Sequence, residues 1–261
     1  MELGINGRLA IVCASSKGLG LGCAEELAAN GVNLIMNART ADVLEASADR
    51  LRETYGVEVT AVATDITTGE GRAEVLAAAG GKTIDILVNN AGGPPPGDFR
   101  DWSMDDWNAA VNANMLTPIE LIKAVIDPMI DQRFGRIVNI TSGSVRNPIP
   151  QLGMSNGARA GLTGFVAGLA RQVAQHNVTV NNLLPGQFDT DRIASLFASR
   201  AQKEGRDAAE IRAAAEAGNP CRRIGHIKEF GHACAFLCSA HAGYVVGQNL
   251  LVDGGAFNSS F

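Results

Sequence analysis

The sequence predicts a doubly wound (Rossmann) α/β domain: a parallel sheet of seven strands with helices on both faces, in three αβα layers. Three observations carry this. Apolar runs of strand length alternate with helical patterns along the whole chain, the signature of βαβ units. A glycine-rich loop, "CASSKGLGLG", follows the first such run and opens a helix. The 261 residues show no linker, repeat or low-complexity tract, and 46% are hydrophobic, enough to bury one large core.

Taken in order, "RLAIVC" (8–13) is the first strand, and a helix follows from Leu19 to Asn30, ended by Gly31. "NLIMNA" (33–38) is the second strand, followed by a helix over 41–55. "VTAVATD" (59–65), "IDILVNN" (84–90), "GRIVNITS" (135–142), "VTVNNLL" (178–184) and "QNLLVDG" (248–254) are the remaining strands. Helices are expected near 69–80, 104–132, 153–175 and 227–239. Residues 187–215 are polar and helix-prone and follow Pro185-Gly186. They leave the sheet at a strand's carboxyl end, where sites form in α/β folds, and are read as a helical lid. The expected organisation is one domain over 1–261 carrying that lid.

Composition narrows the function. Net charge is −5 with no basic block, so neither nucleic acid nor an anionic membrane is an expected partner. No run of 18 apolar residues marks a membrane span, and the first residues lack the charged-then-apolar order of a signal peptide. Five cysteines, an odd number in mostly apolar surroundings, read as reduced thiols of a cytoplasmic protein. Cys234, Cys238 and His232 lack a second ligand pair, so they are read as packing and no metal is expected.

The glycine loop carries the first chemistry. Gly18 and Gly20 open the helix and let backbone N–H groups approach a pyrophosphate without an intervening Cβ. At the end of the second strand, about 20 residues on, a carboxylate would bind a ribose 2′-hydroxyl and mark NAD(H). Here Ala38 and Arg39 stand instead, with Lys17 in the loop. Two cations and no carboxylate favour the 2′-phosphate of NADP(H).

These motifs resemble a classical short-chain dehydrogenase/reductase, similar to the 3-oxoacyl-carrier-protein reductases, over essentially the whole chain. The family's Thr-Gly-x-x-x-Gly-x-Gly loop corresponds to Cys13-Ala14-Ser15-Ser16-Lys17-Gly18-Leu19-Gly20. Ala14 replaces a glycine, the mildest change available. The resemblance makes Asp65 the adenine-binding Asp, with Ile66 after it, and Asn89-Asn90-Ala91-Gly92 the intact Asn-Asn-Ala-Gly motif. Pro185-Gly186 matches the family's Pro-Gly, Thr190 the Thr at the nicotinamide carboxamide, and Val252 to Gly255 the terminal Val-Asp-Gly-Gly. The implied cofactor contacts are Ala14, Ser16, Lys17, Gly18, Leu19, Gly20, Arg39, Asp65, Ile66, Asn90, Ala91, Gly92, Arg159, Pro185, Gly186 and Thr190.

The family's catalytic tetrad is Asn, Ser, Tyr and Lys. The resemblance assigns the first two to Asn114 in "VNANML" and Ser142 in "NITSGS". Counting thirteen residues from Ser142, and four more, reaches Ser155 and Arg159 in place of Tyr and Lys. The two tyrosines, Tyr55 and Tyr244, and the four histidines lie far from this segment in sequence. A serine hydroxyl is far less acidic than a phenol of pKa about 10, so Ser155 cannot by itself serve as that acid. It can relay a water or polarise an oxygen. Arg159 stays cationic and can fork onto ribose hydroxyls, with a geometry unlike that of an ammonium.

Losing a positioned general acid costs about 10²–10⁴-fold, whereas positioning of reactants alone contributes roughly 7–11 kcal/mol. The expectation is an NADP(H)-dependent oxidoreductase acting on a small-molecule carbonyl or hydroxyl substrate, with an atypical proton relay. Two alternatives stay open. One is a non-hydride enzyme of aldol or dehydration type, since Arg159, Ser142 and Ser155 can stabilise an enolate oxygen. The other is a dinucleotide-binding protein without activity. "GGPPPGDF" (92–99) predicts a stiff loop beside the nicotinamide. Arg146, Asn147, Met154, Gln187 and Phe188 are candidate pocket residues, Arg146 towards an anionic group. Helices 104–132 and 153–175 carry broad apolar stripes, and the resemblance implies a homotetramer or homodimer through them.

Overall fold

The computed structural model describes residues 2–259. Its strands are β1 (Leu9–Val12), β2 (Asn33–Ala38), β3 (Val59–Ala63), β4 (Ile86–Asn89), β5 (Gly135–Ile140), β6 (Val178–Pro185) and β7 (Asn249–Val252). They form one sheet in the order β3-β2-β1-β4-β5-β6-β7, with every pairing parallel. The helices are α1 (Gly18–Ala29), α2 (Ala41–Tyr55), α3 (Gly69–Ala77), α4 (Met104–Val111), α5 (Thr117–Asp131), α6 (Gly153–Val173), α7 (Asp191–Glu204), α8 (Ala208–Gly218) and α9 (Ile227–Cys238).

Strands β1, β2 and β4 read as nearly continuous apolar runs because both faces are covered. Successive side chains point to opposite faces. Ala10, Val12, Leu34, Met36, Ile86 and Val88 join one core with α1, α2 and α9. Ile11, Ile35 and Leu87 join the other with α3, α5 and α6. Gly31 and Gly56 terminate α1 and α2 in the left-handed region, at φ +76 and +67.

Cys23, Cys234 and Cys238 are fully buried in the first core. Hydrogen bonding within this cluster, together with burial, raises the Cys234 and Cys238 thiols well above the ordinary range. These are packing groups.

The stretch expected as one helix over 104–132 is instead α4 and α5 joined by a π-helical segment, Asn112–Leu116. The cause is in the sequence. Pro118 has no N–H to return to the carbonyl of residue 114, so the helical ladder widens just before it. By length and composition Met104–Asp131 is apolar enough to cross a membrane, with mean hydropathy 1.2. In this fold Leu121, Ile122, Val125 and Met129 are taken up by the second core.

A row of asparagines crosses the carboxyl half of the sheet. Asn89, Asn139, Asn182 and Asn249 stand in register on β4, β5, β6 and β7. Asn89 donates to Asn139 (2.9 Å), Asn139 to Asn182 (3.2 Å) and Asn182 to Asn249 (2.8 Å). A slip of one residue would break every link, so the row fixes strand register.

Candidate active site

The carboxyl ends of β1, β4, β5 and β6 border a cavity of about 810 Å³. It lies where strand order reverses between β1 and β4, the usual ligand crevice of such sheets. The glycine loop forms one wall. A Cβ on Gly20 would stand 2.2 Å from the Ala14 carbonyl oxygen, so the loop can lie this close to the helix only with glycine there. Ala14 itself sits at φ +47. The exchange of glycine for alanine is therefore not mild, because an L side chain is held in the left-handed region. The Asn90 amide donates to the Ala14 carbonyl (3.2 Å) and ties the loop to the end of β4.

Ser155 and Arg159 share one face of α6 and are both buried, 5% and 7% exposed. The Arg159 guanidinium turns inward. Its Nη1 donates to the carbonyls of Ile140 (2.7 Å) and Thr141 (2.8 Å), and Nη2 donates to that of Ala91 (3.3 Å). Three of five N–H groups are thereby used, leaving Nε–H and one Nη2–H. Burial, then the nearby Arg192 cation, lowers its pKa to about 10. At neutral pH it remains a cation at the cavity wall. Ser142 Oγ accepts from the Ser144 amide (3.1 Å), which keeps its own O–H free to donate. Ser142, Ser155 and Arg159 line the cavity together with Lys17, Gly18, Leu19, Asn90, Ala91, Gly92, Pro185, Gly186 and Thr190.

Family comparison adds to this geometry. A family model described as enoyl-(acyl carrier protein) reductase matches residues 13–256. The 3-oxoacyl-[acyl-carrier-protein] reductase FabG of Escherichia coli (strain K12) is 34% identical over 257 residues, covering 98% of this chain and 99% of that protein. The chain is a short-chain dehydrogenase/reductase. Among solved structures, the L-sorbose reductase of Gluconobacter frateurii complexed with NADPH and L-sorbose superposes with TM-score 0.94 at 29% identity, covering 99% of this chain and 100% of that one. An actinorhodin polyketide ketoreductase with NADPH gives 0.91 at 27% identity over 97% of this chain and 98% of that one. A 7α-hydroxysteroid dehydrogenase complexed with NADH gives 0.88 at 28%, over 99% and 97%. Like these relatives, this short-chain dehydrogenase/reductase is an oxidoreductase.

Not every expected site residue of this reductase lines the cavity. Asn114 is 3% exposed on the π-helical segment, with its amide donating to the Ala110 carbonyl (3.2 Å) and its Oδ1 buried without a partner among the described residues. Asp65 lies beyond the cavity wall, with Oδ1 accepting from the Thr67 amide (2.9 Å) and hydroxyl (2.8 Å). These bonds, with the Arg39 cation beside it, hold its pKa below the ordinary carboxylate value. Ile66 turns its side chain into the second core, leaving only its backbone for a ligand. The Ser16 carbonyl accepts from the Ser47 hydroxyl (3.0 Å).

Lys17 lines the cavity, with its ammonium paired to Asp191 of α7 at 2.8 Å. Both groups are largely exposed, 68% and 77%, so the pair is worth at most about 1 kcal/mol and opens readily. Arg146 faces the Asn249 carbonyl (3.2 Å) outside the cavity, and Met154 is buried in packing, whereas Asn147, Gln187 and Phe188 do line it.

Residues 187–215 form α7 and most of α8, whose helical region runs on to Gly218. The two pack through a small cluster of Phe197, Ala201 and Ile211, joined by Ile224 from the segment before α9. One residue the sequence did not point to also lines the cavity. Arg192 donates from Nη1 to the Gly93 carbonyl (2.9 Å) and from Nη2 to that of Pro94 (3.3 Å), joining α7 to the proline-rich loop.

Proposed function

We propose that this reductase transfers hydride between NADP(H) and a small carbonyl or hydroxyl compound, using a proton relay without a protein phenol. What supports the reading most directly is that Ser142, Ser155 and Arg159 converge on the same cavity as the glycine loop and the Asn90–Gly92 segment. The backbone of Ala14 to Gly20 would take the pyrophosphate, Arg39 the 2′-phosphate, and Thr190 with Pro185-Gly186 the nicotinamide end. When bound, the nicotinamide supplies hydride to the substrate carbon. Arg159 holds the ribose through its two remaining N–H groups and contributes a fixed positive charge. The Ser142 and Ser155 hydroxyls hydrogen-bond the substrate oxygen, and the proton reaches that oxygen from water rather than from a side chain of matched pKa. The unpartnered Asn114 Oδ1 offers a place for one water of that path.

Helices α7 and α8 act as a lid over this site, within a single domain. The reading further includes a cytoplasmic enzyme with no nucleic-acid or membrane partner, assembled as a homotetramer or homodimer through α4, α5 and α6. Met104 on α4 and Leu116 in the π-helical segment stand exposed at 72% and 46%. Light scattering reads the mass.

The test is equilibrium titration with NADPH and NADH, followed by NADPH consumption with a panel of ketones and aldehydes. Saturable NADPH binding with consumption of both reactants is expected. Failure to bind NADPH refutes the reading. Product formed without cofactor consumption assigns the site to the aldol or dehydration class, and binding without turnover assigns it to a non-catalytic role.

A further inference from the structure

Six charged side chains border the cavity: Lys17, Arg159, Asp191, Arg192, Arg200 and Asp253. Four are already matched. Lys17 pairs with Asp191, Arg200 with Glu204 (2.5 Å), and Asp253 accepts from the Gly255 and Phe257 amides. Arg159 and Arg192 differ, because the bonds described for them run only to main-chain carbonyls. Neither guanidinium forms an ion pair with a carboxylate among the described residues.

Their positions are not equivalent. Arg159 is buried against β5, whereas Arg192 sits in the first turn of α7, across the cavity mouth from the loop after β4. The Arg192 guanidinium lies against Gly93. A Cβ there would stand 2.9 Å from Nη2 and 3.2 Å from Cζ, so the missing side chain is what lets the guanidinium rest in this place. Its two bonds leave Nε–H and one N–H on each Nη. Such a planar fork matches a carboxylate in shape as well as charge.

We propose that Arg192 receives a carboxylate of the substrate, which makes the substrate a small oxo acid or the corresponding hydroxy acid. The proposal rests on the carbonyl-reductase reading above and names its substrate class. The carboxylate sits against the free N–H groups of the Arg192 guanidinium, and the reacting carbonyl extends towards Ser155 and Ser142. An anion at this point also offsets the mutual repulsion of Arg192 and Arg159, neither of which pairs with a carboxylate among the described residues.

The experiment uses pyruvate, acetoacetate and 2-oxoglutarate, each beside its methyl ester. Binding to the protein saturated with NADP⁺ is measured by calorimetry, and kcat/KM is measured with NADPH. At least one acid should be preferred over its ester by tenfold or more. Arg192→Met should lower affinity and kcat/KM for that acid by about 10- to 100-fold, the range for lost hydrogen bonds to a charged group, with little change for the ester. Gly93→Ala keeps the charge and displaces only the flexible end of Arg192, and should weaken the acid by a smaller factor in the same direction. NADPH affinity should stay within twofold in both variants.

The proposal is overturned if no acid binds, if acids and esters bind alike, or if Arg192→Met weakens NADPH as much as the acid. The last result would assign the guanidinium to the cofactor. Arg192-dependent binding of an acid without hydride transfer would support this assignment while refuting the reductase reading. Ester or ketone reduction without any preference for acids would do the reverse.

Discussion

Replacing Arg159 by Met tests what the guanidinium does in the folded chain. It would remove donors from the carbonyls of Ile140, Thr141 and Ala91, now served at 2.7, 2.8 and 3.3 Å. Each buried acceptor left unmatched costs about 1–3 kcal/mol. Removing a buried cation recovers part of its desolvation, so the net loss should be about 2–4 kcal/mol. For a domain of this size that lowers Tm by roughly 4–8 °C. Arg159→Lys keeps the charge but not the fork, and should fall between the parent and Met.

The pH dependence of the parent has a definite sign. The folded pKa is about 10, below the ordinary arginine value, so above pH 10 the native state releases the proton before the unfolded chain does. The Arg159 contribution to stability therefore rises as pH climbs above 10 towards the ordinary arginine value, while any activity that needs the cation falls over the same interval. Scanning calorimetry at neutral pH, with NADPH titration alongside, is the assay. A Met variant as stable as the parent and equally tight for NADPH would refute the assigned role.

Three further perturbations separate the parts. Ala14→Gly removes an L side chain held at φ +47 and should stabilise the protein by up to about 1 kcal/mol, read as a rise in Tm of a few degrees; a fall would contradict the strain. Asn139→Leu strands the Asn89 amide and the Asn182 carbonyl oxygen and should cost about 2–5 kcal/mol by urea denaturation, whereas an unchanged midpoint would deny the asparagine row any weight. Ser155→Tyr combined with Arg159→Lys should raise kcat for carbonyl reduction, by up to about 10²–10⁴-fold where the phenol reaches the substrate oxygen; an equal or slower rate would count against a missing acid.

Much of this architecture is legible in the sequence, because doubly covered strands and amphipathic helices differ in period. All seven strands fall within three residues of their expected ends, and Gly31 and Gly56 stop their helices. What escaped depends on contacts between segments distant in sequence. The π-helical segment at Asn112–Leu116 was within reach, since Pro118 announces it, yet the apolar stripe runs through it without a break. The left-handed backbone of Ala14 is invisible in a residue that usually prefers helices.

The site divides in the same way. Ser142, Ser155 and Arg159 follow from the family resemblance, position by position, and they share one cavity. The cations were less legible. Lys17, Arg146 and Arg192 are each a single positive charge in a polar stretch, and only the fold decides that the first meets Asp191, the second faces outward and the third crosses to Gly93. A long flexible side chain on an exposed element carries no record of its partner in local sequence.

Hydride transfer without a protein phenol is tested most directly with NADPH carrying deuterium at both nicotinamide C4 positions. The protein is incubated with this cofactor and a panel of ketones, aldehydes and oxo acids, and products are examined by mass spectrometry. One deuterium on the former carbonyl carbon, with one equivalent of NADP⁺ formed, is the expected result. Product free of deuterium, or bound cofactor with no product from any acceptor, would contradict it.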